Sequence, residues 1–181
     1  MIKPEDFKRL WQIDVKSKLY SFSDDSVGLL NIPFEAKKFL VEAGLPEEAA
    51  PLLTFGVISK KPLELASDVF GLPKGFSRYY IIGSNGSGDP ICIDEANEGA
   101  IVLLNHDCKF KSVFVNTSVM QIAESLLAYR DLVNDAIKEN GTDAYLDWNI
   151  PICLLEQTKS VIQKIDPVAL EKETFWFQNL S

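Results

Sequence analysis

RYYIIGSNGSGDPICIDEANEGAIVLL, running from Arg78 to Leu104, decides how this chain is read. It holds three short apolar runs, Tyr79 to Ile82, Ile91 to Ile93 and Ala100 to Leu104, separated by clusters of Gly, Asn, Ser, Asp and Pro. Such punctuation predicts a strand, a turn, a second strand, another turn and a third strand, that is, a meander. The glycine-rich bend Gly83 to Pro90 poses the chemical question, because loops of this kind can aim successive backbone amides at a phosphate. This one lacks the Lys and Ser or Thr of a Walker loop after its last glycine, since Asp89 and Pro90 follow Gly88. The dinucleotide fingerprint needs a helix at that point, and Pro90-Ile-Cys-Ile predicts a strand. Asp89 would also repel a phosphate, so the loop is read as a hairpin turn.

Outward from the meander, helices flank the strands. Pro4 with Phe7, Leu10 and Trp11 at spacings of three and four predicts a first amphipathic helix. Lys16 to Phe22 alternates weakly and suggests an edge strand, with Asp24-Asp25-Ser26 as a turn. Pro33 opens a second helix with Phe34, Phe39, Leu40 and Ala43 on one face, closed by Gly44 and Pro46. Leu52 to Ser59 predicts a strand, Leu63 to Val69 a short element and Gly71 to Gly75 a turn.

Beyond the meander, His106-Asp107 reads as a turn and Ser112 to Val115 as a strand. Ser118 and Gln121 have capping-box spacing before a helix of about five turns, carrying Ile122, Leu126, Tyr129, Val133 and Ile137 and stopping at Gly141. A connection from Asp143 to Asn149 holds Trp148. A last long helix spans about Pro151 to Ile165, Asp166-Pro167 marks a new start with Asp166 as cap, and Phe175-Trp-Phe closes the chain. Helices flanking hairpin-connected strands predict an α+β fold, with a central, mostly antiparallel, curved sheet of about five to six strands, in one domain over 1–181.

Composition narrows the function. The chain has 18 basic and 26 acidic residues, a formal charge of −8, which argues against nucleic acid or an anionic membrane as partner and permits a basic protein. The amino terminus lacks the order of a secretory signal, and no apolar run reaches the length of a bilayer span, so a cytoplasmic location is expected. Cys92, Cys108 and Cys153 are odd in number and scattered, and are expected to be buried reduced thiols rather than a disulfide framework or metal site.

The candidate chemistry is thin. His106 is the only histidine, and nothing in the sequence sets a Ser or Cys opposite it. No metal-ligand spacing and no cofactor motif is present. Asp89, Asp94, Glu95 and Glu98 crowd the meander; they are read as a solvated rim or, alternatively, as an acidic patch for a basic partner. Trp11, Trp148 and Trp176 are expected in the core or at its margin.

In Phe39-Leu-Val-Glu-Ala-Gly-Leu-Pro, Tyr80-Ile-Ile-Gly, Ile91-Cys-Ile-Asp with Gly99 and Val102-Leu-Leu, Phe114-Val-Asn-Thr-Ser, Leu126-Leu127, Asp166-Pro167 and Trp176, taken in that order, the chain resembles the SUKH superfamily of Smi/Knr-like proteins, in particular its fourth family of bacterial immunity proteins. The resemblance covers about residues 30 to 180. It implies a non-enzymatic protein that binds and neutralises a cognate toxin, often a nuclease, in a polymorphic toxin system. It carries over no catalytic residue and no contact residue. Two other readings stand beside it: a regulatory or scaffold module of the same fold, and a small-molecule-binding or hydrolytic protein using Gly83 to Gly88 with His106.

Overall fold

The central strands alternate their side chains between two covered faces, which is why their sequence shows continuous apolar runs instead of a period of two. In the computed structural model, which describes residues 1–12 and 18–181, the meander consists of three antiparallel strands. These are Tyr79–Asn85, Pro90–Asp94 and Ala100–Asn105. Ile82, Ile91, Ile93, Ile101 and Leu103 turn to one face and join the main core. Ile81, Cys92, Val102 and Leu104 turn to the other and form a smaller cluster.

In chain order the elements are helix α1 (Pro4–Trp11), strand β1 (Leu19–Tyr20), helix α2 (Asp24–Gly28), helix α3 (Phe34–Glu42), and strands β2 (Leu45–Pro46), β3 (Glu48–Ala49) and β4 (Leu53–Phe55). Helix α4 (Ala66–Phe70) precedes the meander strands, numbered β5, β6 and β7. Strand β8 (Lys111–Asn116), helices α5 (Val119–Asn140) and α6 (Ile152–Ile165), and helix α7 (Phe175–Asn179) complete the chain. Strands β3 to β8 form one six-stranded sheet in sequential order, every neighbouring pair antiparallel, while β1 and β2 form a separate pair. The α+β architecture and the six-stranded sheet agree with expectation.

Two glycines are demanded by close approach. At Gly83 the β5–β6 register shifts, and a side chain there would overlap the Thr54 carbonyl oxygen of β4. Gly44 ends α3 in the left-handed region, φ 74°, where a side chain would overlap the Tyr20 carbonyl.

Helix α5 covers the main face with Ile122, Ala123, Leu126 and Tyr129, all fully buried. The second face is closed by α4 and by Leu72, Phe76 and Phe110, with the Phe70 and Phe110 rings 5.1 Å apart. The Ser118 hydroxyl accepts from the Gln121 amide at 3.3 Å, as a cap should. The Gln121 side chain does not return to the cap backbone. It accepts from the Ser118 hydroxyl and donates to the Ile165 carbonyl, so the cap also fastens the end of α6.

Several local expectations are corrected. Asp24, Asp25 and Ser26 are not a turn but the first residues of α2, capped by Ser23, whose oxygen accepts from the Ser26 amide. Phe34 is 74% exposed, because five residues of helix carry it about 140° away from Phe39; Ala36 holds that buried face instead. The strand expected over 52–59 is only β4, and the buried stripe of α5 continues through Leu132 and Ala136, with Val133 partly buried against the same core and Ile137 half-buried. The expected edge strand falls partly on residues 13–17, outside the described residues; its described part is β1.

Asp166 does not cap the short 3₁₀ helix Pro167–Leu170 that follows it. Its carboxylate is 1% exposed and accepts from the Thr117 amide at 2.7 Å, the Thr117 hydroxyl at 3.0 Å and the Asn116 side-chain amide at 3.1 Å. Asn116, itself fully buried, also donates to Ser125 and accepts from the Trp176 indole at 2.8 Å. One polar cluster thus joins the end of β8, the start of α5, the end of α6 and α7. Replacing Asp166 with Ala leaves buried donors without acceptors and should cost about 3 kcal/mol or more of unfolding free energy. A denaturation midpoint within error of the parent would contradict this account.

Candidate functional site

The four carboxylates singled out in the sequence separate into two places. Asp89 stands at the β5–β6 turn, while Asp94, Glu95 and Glu98 stand at the β6–β7 turn, roughly 16 Å away along the strand. They do not form one patch.

Asp89 is 6% exposed, not part of a solvated rim. One carboxylate oxygen accepts from the His106 amide at 2.8 Å and lies 2.6 Å from His106 Nδ1; the other accepts from Asn85 Nδ2 at 2.9 Å. Burial works to raise its pKa, but the His106 backbone amide, the Asn85 side chain and the His106 ring together outweigh it and hold the carboxyl below its ordinary value. The Asn85 side-chain oxygen accepts from the Ser87 and Asp89 amides, so amides of the glycine loop are spent inside the turn rather than offered to a phosphate.

Asp94 is 4% exposed and holds Arg78 through two parallel bonds of 2.5 Å, while also accepting from the Ala96 amide. The Asp94 hydrogen bond raises the Arg78 pKa. Glu95 is half-buried and accepts from the Asn31 amide, and Glu98 is exposed. Two of the four charges therefore serve the turns they occupy.

His106 is half-exposed, and among the described residues its ring nitrogens meet carboxylates, Nδ1 at Asp89 and Nε2 at Asp107, 3.4 Å away. No group of His, Cys, Asp and Glu able to hold a metal occurs among the described residues. All three cysteines are free. Cys92 is buried, which pushes its thiol pKa up, whereas Cys108 and Cys153 are exposed, contrary to expectation. Cys108 lies in the turn after β7, and Cys153 in the first turn of α6.

The surface feature that sequence reading missed is a recess of about 470 Å³ beside the β3–β4 turn, lined by Glu48, Ala50, Leu52, Thr54, Gly86 and Tyr145. Leu52 is 70% exposed at its rim. Next to Tyr145 in the chain, Leu146 is 77% and Trp148 47% exposed, so Trp148, unlike Trp11 and Trp176, lies outside the core. Short apolar stretches at 50–53 and 144–148 were the available signal, but nothing in the sequence said that they meet.

A family model described as SUKH-4 immunity protein matches residues 8–181. The chain belongs to the SUKH-4 immunity protein family. No curated protein and no solved structure matches it. Among the described residues, no helix of this family member is long and apolar enough to cross a membrane.

The Asp89 geometry predicts a pH signature. A carboxyl whose folded pKa lies below its unfolded value, about 4, stabilises the protein above that value and stops doing so as pH falls through the folded value. Asp89→Asn should lower stability at pH 7 by on the order of 1 kcal/mol and make the loss of stability below pH 4 shallower. Parallel acid-denaturation curves for parent and variant would refute the assignment.

Proposed function

We propose that this chain is a cytoplasmic, non-enzymatic immunity protein that neutralises a cognate bacterial toxin by stoichiometric binding. Membership of the SUKH-4 immunity protein family carries the reading. The charge of −8 supports a basic toxin, and a nuclease fits that description because an enzyme acting on nucleic acid needs a basic surface. The same charge disfavours nucleic acid or an anionic membrane as the immunity protein's own partner.

An acidic inhibitor facing a basic enzyme gains first in association rate, since opposite fields steer the encounter. Glu98, exposed, and Glu95, half-buried, are the two meander carboxylates best placed to add to that field. Asp94 is largely compensated by Arg78, and Asp89 is engaged by its donors, so any part they take in contact runs through the turns they shape. Neutralisation needs no chemistry from the immunity protein: occupying the toxin's site, or holding the toxin in an inactive form, is sufficient.

Co-expression with the toxin encoded beside this gene should restore growth and yield a complex with one copy of each chain. Its association rate should fall about 10-fold or more between low and high salt, as electrostatic steering is screened. Absence of both rescue and complex would overturn the reading, and a stable complex with an endogenous protein instead would favour a regulatory or scaffold role.

A further inference from the structure

Three chain segments far apart in sequence meet around the recess beside the β3–β4 turn: 48–54, the glycine turn at Gly86, and the connection after α5 at Tyr145. Each is drawn from a stretch without a cation. No Lys or Arg occurs between Lys38 and Lys60, between Arg78 and Lys109, or between Lys138 and Lys159. The same stretches supply exposed Glu48 in the lining, exposed Glu47 next to it in the chain with its amide on the Lys18 carbonyl, and exposed Asp143 and Asp147 within two residues of Tyr145. The segments that build this apolar hollow thereby carry carboxylates and no basic residue.

Two apolar side chains of these segments, Leu52 in the lining and Trp148 three residues beyond Tyr145, are held at a conformational cost. Leu52 has φ 55° and Trp148 φ 53°, the left-handed region that favours Gly and Asn. Other large apolar residues with such backbones are accounted for by packing: Leu63 is 8% exposed, and the Phe110 ring lies 5.1 Å from Phe70 and 6.4 Å from Phe76. Leu52 and Trp148 are strained and exposed together, so neither local preference nor burial explains them. The turn bearing Trp148 is nonetheless well ordered by its own bonds, Trp148 amide to the Tyr145 carbonyl and Asn149 amide to the Ala144 carbonyl. Tyr145 packs edge-on against Tyr129 of the core, 6.2 Å between rings, which fixes the wall of the recess to α5.

We propose that this recess is the docking face for the toxin, and that its occupant is a toxin segment presenting one aliphatic or aromatic side chain flanked by Lys or Arg. The proposal rests on the immunity reading above. The buried side chain would fill the hollow between Leu52 and Tyr145, with Trp148 in the same connection as Tyr145 adding aromatic surface, while the flanking cations meet Glu48 in the lining and Glu47, Asp143 and Asp147 in the segments that carry it. That is the arrangement of an interface with an apolar centre and a charged periphery. A second copy of this chain is disfavoured as occupant, because it would bring an acidic rim against an acidic rim.

Leu52→Asn and Trp148→Asn give a test that separates binding from folding, since Asn accepts the left-handed backbone and removes apolar surface. Each variant should melt at or above the parent temperature while weakening binding to the toxin encoded beside this gene by about 30-fold or more, as expected for an interface anchor. Glu47→Lys with Glu48→Lys should slow association several-fold and flatten its salt dependence. Unchanged affinity in the stable Asn variants would overturn this docking face and leave the immunity function standing. A fall in melting temperature that matches the loss of binding would assign both residues to the fold and overturn it as well. Parent protein that self-associates through these residues would replace the toxin by a second copy, and parent protein that does not bind the toxin at all would overturn both proposals.

Discussion

A buried carboxylate that has no cation among the described residues, Asp166, is what the carboxy-terminal half of the fold depends on. Desolvating such a charge is costly, and only a full set of donors makes it tolerable. Asn116 and Thr117 supply that set from the point where β8 gives way to α5, and Asn116 passes the constraint on to Trp176. The consequence is geometric. If the carboxylate is to be satisfied, the end of α6 must meet the end of the sheet, and α7 must lay its indole against the same junction. Apolar packing alone could let α6 slide along α5; directional bonds with a penalty for every unpaired member fix one arrangement.

The sheet shows the complementary principle, in which apolar burial decides and polar groups only shape the ends. Both faces of β6 and β7 are covered, so the choice of which side chain faces α5 is enforced by the alternation of Ile91, Cys92 and Ile93 against Ile101, Val102 and Leu103. A one-residue slip would exchange Cys92 for its two larger neighbours in the main core and overfill the smaller cluster. The register shift sets both Ile82 and Gly83 against Ile91, and Gly83 stands where the Thr54 carbonyl of β4 comes too close for a side chain.

These two principles explain what could be read from the sequence. Turn residues and apolar runs are local signals, so the meander, the Gly44 stop and the Ser118 cap were legible. Partnership is not local. Asp166 followed by Pro167 looks like a helix cap, and only the arrival of Thr117 from 49 residues away shows that its oxygens are already taken. Asp89 and Asp94 look alike as charges in a polar loop, yet one is claimed by His106 and the other by Arg78, each across a strand pair. Phe34 looked apolar and therefore buried, although its angle around the helix sets it outside.

The same distinction bears on function. In an acidic protein the carboxylates most conspicuous in sequence need not be those most available to a partner, because turns in a sheet need carboxylates for their own geometry. The oxygens of Asp89 are engaged by hydrogen-bond donors and Asp94 is paired with Arg78, whereas Glu47, Glu48, Asp143 and Asp147 are exposed and drawn from stretches that contain no cation. Long-range attraction depends on the total charge, so every carboxylate counts toward it; a short-range contact depends on those whose oxygens are still free. For an immunity protein, speed of capture and tightness of the final complex can therefore be set by different residues, the first by the summed acidic field and the second by strained apolar side chains around a hollow such as the one beside Leu52.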